Sequence, residues 1–236
     1  MKDGDRKSIY TLLRENPPDI QGLREELHIG DYTPEQVTKA AIQYLDDCFD
    51  DQVKEDYERD EREELNFWEQ PAVVAVRPEL RSAHIPEVLN VLLEYGLDPN
   101  AVYDGENVIH SLKYIDNEYV AADALALLFE HGGDCNIMLD GAELFIDLDH
   151  DVVFDAANQN DRRRYDALVH CWFVYLGYGA KLRNGASAVD TFRGFDLSEL
   201  KQHRNYSFAL THTPNRGETW CLHIIDRRNF WEVARL

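Results

Sequence analysis

The densest set of potential metal ligands in the chain is Asp147-Leu148-Asp149-His150-Asp151, where carboxylates on alternate residues could converge on calcium. An EF-hand loop needs glycine at its sixth position and glutamate at its twelfth; counted from Asp147 these are Val152 and Asn158, which excludes that route. His110 or His131 together with His150, Asp151 and Asp190 has the ligand types of a metal-dependent phosphohydrolase, in which the metal activates water. His203, His212 and His223 could take zinc, but on alternating faces His212 and His223 need not meet. The four cysteines, Cys48, Cys135, Cys171 and Cys221, are scattered without a C-x-x-C pair, so neither a disulfide framework nor a zinc site is indicated. No phosphate loop, Gly-x-Gly-x-x-Gly turn, His-Glu-x-x-His helix or Gly-x-Ser-x-Gly elbow occurs. The expectation is a chain with no catalytic constellation, no cofactor and no metal.

The elements that carry these residues repeat. Asp104-Gly105, Asp140-Gly141 and Asn184-Gly185 each form a dipeptide suited to the positive φ of a tight turn, and each leads into an apolar-rich stretch. Upstream of each lies a helical pattern closed by glycine: Val88 to Gly96, Ala124 to Gly132, and Val169 to Gly177 with Gly179. Leu97-Asp98-Pro99-Asn100 and Gly133-Asp134-Cys135-Asn136 then match position for position at Asp and Asn. The unit reads as helix, glycine stop, Asp/Asn turn, helix.

These residues resemble the ankyrin repeat, whose helix ends in Leu-Leu, passes through a Gly-x-Asp-x-Asn turn and meets Asp-Gly before a Thr-Pro-Leu-His helix start. Leu92 to Asn100 and Leu127 to Asn136 carry the match, and His110 stands at the family's His, where a structural role between turns is implied. The tetrad is Asn107-Val108-Ile109-His110 in one unit and absent from the others, and the turn dipeptides lie 36 and 44 residues apart, against about 33 in the family. An insertion is expected near residues 158–164. The resemblance covers residues 64–192 and implies stacked helix pairs, because one pair cannot bury both of its faces. The helix from Ala167 to Leu176, apolar nearly all round, fits a position covered on two sides.

The flanks read as caps. In residues 1–63, Thr33-Pro34-Glu35-Gln36 is a capping box with Pro at the first helical position, followed by Val37, Ala41, Tyr44, Leu45 and Cys48 at helical spacing. The acid-rich run from Asp46 to Glu64 is either a solvated helix or a mobile linker. In residues 193–236, Tyr206, Phe208 and Leu210 alternate with smaller residues. A turn-rich stretch follows, and then Trp220, Leu222 and Ile224, which predicts a hairpin with these six on one face and a third strand from Phe230 to Leu236. The expected class is mainly α: ankyrin-like repeats with an N-terminal helical cap and a C-terminal β-hairpin.

Apolar residues make up 44% of the chain, enough for a substantial core. Its formal charge of −21, from 45 acidic and 24 basic residues, opposes nucleic-acid binding. No apolar stretch is long enough to span a bilayer and the N-terminus lacks a signal-like apolar region, so a cytoplasmic location and no membrane partner are expected. The ankyrin resemblance implies that partners meet the turn tips and the first helices. That nominates Tyr103, Asp104, Glu106, Tyr114, Asp140, Glu143, Asp149, Arg183 and Asn184 as a binding surface for a basic region of another protein. A sharper form is an immunity or inhibitor protein that covers a basic toxin or nuclease; the rival is a metal-dependent hydrolase at His150 and Asp151.

Overall fold

The structure, a computed structural model, describes residues 7–66, 81–115, 119–139, 142–143, 162–180, 195–213 and 219–235. It is mainly helical, with a small three-stranded antiparallel sheet near the C-terminus. Contacts divide the chain into two compact units, residues 1–98 and 99–236.

In the first unit, α1 (Ile9–Leu13) starts at Ser8, whose hydroxyl accepts from Thr11 N, and α2 (Ile20–Ile29) starts at Asp19, whose carboxylate accepts from Gly22 N at 2.8 Å. The sequence pattern predicts neither helix. α3 (Pro34–Asn66) opens on the expected reciprocal box: Gln36 N donates to Thr33 Oγ1 at 3.3 Å and Thr33 N to Gln36 Oε1 at 2.9 Å. Val37, Ala41, Tyr44, Leu45 and Cys48 are all buried. The acid-rich run continues as the C-terminal half of this same helix. Arg81 lies against it, its guanidinium 3.6 Å from Asp47 and 3.3 Å from Asp51, while Tyr44 Oη donates to Arg81 O at 3.0 Å. α4 (Ile85–Glu94) buries Ile85, Val88, Leu89, Val91 and Leu92 against α2 and α3.

The second unit begins with α5 (Val108–Ser111), which tightens into a 3₁₀ turn at Leu112–Tyr114 and ends at Ile115. This is shorter than its apolar start predicts, because Val108, Ile109 and Leu112 are its buried apolar side chains and the chain is extended again at Ile115. α6 (Val120–Glu130) packs on α7 (Arg162–Gly177), and residues 167–177 of α7 are all buried, as the all-round apolar pattern requires. Between them, β1 (Met138–Leu139) pairs with β2 (Ala142–Glu143).

A 3₁₀ segment, Leu197–Asn205, covers α7 and leads into the sheet of β3 (Tyr206–Thr213), β4 (Thr219–Asp226) and β5 (Trp231–Arg235), in that order. Phe208 stands opposite Ile224, Leu210 opposite Leu222 and His212 opposite Trp220, so the six alternating apolar residues share one face as expected. The third strand is present, with a register shift at Ile224/Ile225. Gly177 is what lets the 3₁₀ segment approach: a β-carbon there would stand 2.6 Å from Lys201 N and 3.0 Å from Leu200 C, both backbone atoms that cannot swing aside. Gly177→Ala is therefore expected to lower stability by about 1–3 kcal/mol, the scale of an overpacking substitution, measured by chemical denaturation.

Candidate binding surface

Asn107 builds the best-defined of the nominated tips. Its side chain is fully buried; Oδ1 accepts from Ile109 N at 2.8 Å to cap α5, while Nδ2 donates to Pro99 O at 2.9 Å and to Ala101 O at 2.8 Å. One amide thus holds both the entry to the tip and the helix that leaves it. Tyr103 and Glu106 exchange two backbone hydrogen bonds of 2.9 Å, and Asp104 (φ 55°) with Gly105 (φ 85°) forms the turn between them, both in the left-handed region that a type I′ hairpin demands. Asp104, Gly105 and Glu106 are exposed, Tyr103 is half-buried, and Val102 beside it is 45% exposed. Among the described residues neither the Asp104 nor the Glu106 carboxylate is in an ion pair.

Tyr103, Asp104 and Glu106 therefore share one hairpin. Tyr114 stands at the end of the following 3₁₀ turn, 38% exposed, edge-on to His110 with ring centroids 5.4 Å apart and with Lys113 Nζ 5.0 Å above its ring. Glu143 lies on β2 opposite Met138. Leu139 faces Ala142 across the second dipeptide, the same offset as Tyr103 and Glu106 across the first. Asp140, Asp149, Arg183 and Asn184 lie outside the described residues, as do His150, Asp151 and Asp190 of the metal alternative. Among the described residues no group of three or more His, Cys, Asp or Glu side chains is placed to hold a metal ion, and no helix is long and apolar enough to cross a membrane.

The helices upstream of the turns end alike. At α4, Leu97 N donates to Leu92 O and Gly96 N to Leu93 O; at α6, Gly133 N donates to Leu128 O and Gly132 N to Phe129 O; at α7, Ala180 N donates to Tyr175 O and Gly179 N to Leu176 O. Gly96, Gly132 and Gly179 have φ of 95°, 89° and 88°. This is the Schellman closure, for which a left-handed residue is needed and glycine is the residue without strain. Within the second unit the turns are also bonded to one another. Asn100 Nδ2 donates to Gly132 O at 2.9 Å and Asn100 Oδ1 accepts from Asp134 N at 2.7 Å; further along, the Cys135 thiol donates to Tyr178 O at 3.4 Å.

A second polar assembly joins residues that no sequence motif links. Asp123 on α6 accepts from His203 Nε2 at 3.0 Å, and His203 Nδ1 lies 3.3 Å from Nδ1 of His170 on α7; both imidazoles are buried. Arg204 also bonds Asp123, and Tyr119 is packed edge-on to His170 at 4.6 Å, with the Arg204 guanidinium over its ring at 4.8 Å. Burial, reinforced by the neighbouring His203 and Arg227, pushes His170 down to about 3. At Asp123 burial acts upward, but the hydrogen bonds from His203 and Arg204 outweigh it and hold the carboxyl at about 2. The chain of acid and two imidazoles ends between the rings of Tyr119 and Phe173, so it serves to lock α6, α7 and the 3₁₀ segment together. The one clue in the sequence was His170, a polar break in an otherwise apolar helix. His203 thus pairs with Asp123 rather than with the other two histidines weighed for zinc; His212 and His223 fall on opposite faces of the hairpin, and His223 faces Glu232.

Comparison with known protein families, with curated proteins and with solved structures finds no match.

His170 is held neutral when folded and has an ordinary value of 6.5 when exposed, so the unfolded chain binds more protons below that value. Its contribution is complete above pH 6.5 and drains away as the pH falls toward 3; the Asp123 contribution is lost only as the pH falls from its ordinary 3.8 toward 2. His170→Gln should flatten the decline of unfolding free energy between pH 6.5 and 4.5 and leave the steeper loss below pH 4, as read from urea titrations at each pH.

Proposed function

We propose that this chain is a non-enzymatic protein-binding module of ankyrin-like helix pairs, and that it presents the Tyr103–Glu106 hairpin to a basic region of another protein. The observation that carries the reading is the hairpin itself: two exposed carboxylates without ion-pair partners among the described residues, beside a half-buried tyrosine, on a turn fixed from below by the buried Asn107 amide. A tip held in one shape loses little conformational freedom on binding, and a tyrosine flanked by apolar surface supplies concentrated contact energy while the acids steer and select.

The repeat architecture is supported by the three matching Schellman closures and by Asn100, which joins its own turn to the turn one helix pair later. The overall charge of −21 adds a field that attracts cationic partners. A protein that covers a basic toxin or nuclease is the specialised form that this charge favours. A cytoplasmic location agrees with Cys48, Cys135 and Cys171 being buried thiols.

Affinity capture from the source cytoplasm with the wild-type chain and with Asp104→Lys/Glu106→Lys tests the reading. A bound basic protein should be retained by the wild type, weakened at least about tenfold by raising salt from about 0.05 M to about 0.5 M, and lost from the double variant. Tyr103→Ala should cost about 2 kcal/mol of binding. Capture indifferent to both salt and charge reversal would sink it.

A further inference from the structure

The turn between β4 and β5 holds the most exposed large apolar side chains described in the protein. Phe230 is 86% exposed and Trp231 72% exposed. Asp226 fixes the turn: its backbone carbonyl accepts from Phe230 N at 2.7 Å, its carboxylate accepts from Arg228 N at 2.8 Å, and it takes the Arg228 guanidinium in a two-point contact. Phe230 is thereby held at φ 57°, a left-handed conformation that a β-carbon disfavours and glycine would accept freely. Its ring gains no burial in return.

The charges around this turn are unevenly matched. Arg204 is neutralised by Asp123, and Arg228 by Asp226 with Glu199 3.7 Å away. Arg227 donates to Tyr119 Oη at 3.0 Å and, among the described residues, has no carboxylate partner. The turn therefore offers two adjacent aromatic rings and one uncompensated cation. The surface that answers it must offer apolar contact beside uncompensated acid. The hairpin of the same unit has that composition: Val102 and Tyr103 beside Asp104 and Glu106. An anionic lipid surface is disfavoured as the occupant by the charge of −21.

We propose that the β4–β5 turn docks on the Tyr103–Glu106 hairpin of a second copy of this chain, with Phe230 and Trp231 against Val102 and Tyr103, and Arg227 paired with Asp104 or Glu106. This rests on the hairpin being a binding edge and names one of its occupants, which competes there with a basic partner. The two kinds of binding differ in sign toward salt. Capture of a basic protein weakens as salt rises, whereas two chains of charge −21 repel one another at long range and associate better when that repulsion is screened.

Sedimentation velocity on the full chain, from about 1 μM to about 100 μM, spans the affinities of weak specific contacts. The associated fraction should rise with concentration and with moderate salt. Trp231→Ser and Arg227→Glu should each weaken it at least tenfold, and mixing Arg227→Glu with Asp104→Arg/Glu106→Arg should restore it. Phe230→Gly separates docking from folding: it relieves the left-handed backbone, so thermal stability should hold or rise while association falls. A chain that stays monomeric throughout, or that associates equally well without Trp231, overturns the proposal; so does loss, on Trp231→Ser, of binding to a different protein or to anionic vesicles while the wild type remains monomeric. If the chain is monomeric yet still captures a basic protein through Asp104 and Glu106, the hairpin reading survives and the self-docking fails.

Discussion

A helix that stops inside a compact protein leaves its last carbonyls without intrahelical donors, and the way this chain answers that constraint governs much else in it. At Gly96, Gly132 and Gly179 the backbone turns left-handed and donates two amides back to the preceding turn of helix. The same residues that satisfy the helix also aim the outgoing chain. After Gly96 that chain reaches Asn100, whose side chain bonds the corresponding turn after Gly132, and then Asn107, whose amide gathers Pro99 O and Ala101 O before capping the next helix. The exposed hairpin is a by-product of how buried polar groups are satisfied beneath it. Its shape is therefore set by the hydrogen bonds of the buried Asn107 amide, and its chemistry by side chains that take no part in them.

The C-terminal part of the second unit is organised on a different principle. There the polar groups are not hidden under turns but gathered around Tyr119 and Tyr206. Arg204 and Arg227 both approach the Tyr119 ring, and Tyr206 donates to Glu199 while accepting from Arg228. Aromatic faces and guanidinium groups suit each other because the ring quadrupole attracts the cation while the flat faces pack. Together with Asp123, His203 and His170, they connect helices far apart in sequence to the sheet, where Arg227 N donates to Asn205 O. Loss of one of the two imidazoles is costly, since His170 and His203 are both buried and the one left behind would lack its partner there.

Elements whose signal is local were legible in the sequence. Thr33 and Gln36 are three residues apart and satisfy each other directly, alternation of apolar residues sets the hairpin register, and the run from Ala167 to Leu176, apolar nearly all round, leaves burial as the outcome. α1 and α2 leave little trace in the sequence because each is short and buries only a few side chains, with Ser8 and Asp19 marking their starts. The brevity of α5 follows from an apolar run that ends too soon, and it could have been counted. The Asp123–His203 contact joins residues 80 positions apart, so no spacing rule reaches it. At the candidate surface, Asp104-Gly105 declared its turn outright, whereas the exposure of Phe230 was hidden: an aromatic heading a predicted strand reads as core.

α3 carries a further implication. It spans 33 residues, about 50 Å at the rise of an α-helix, and Arg81 reaches across Asp47 and Asp51 one turn apart. Beyond them the sequence keeps adding acids, through Glu55, Asp56, Glu58, Asp60, Glu61, Glu63 and Glu64, toward the end where the peptide dipoles already concentrate negative potential. Lys54, Arg59 and Arg62 offset only part of that charge. Like charges at helical spacing repel, and dissolved salt screens that repulsion, so the composition of this run makes the C-terminal part of α3 sensitive to the surrounding electrolyte as well as to the polypeptide.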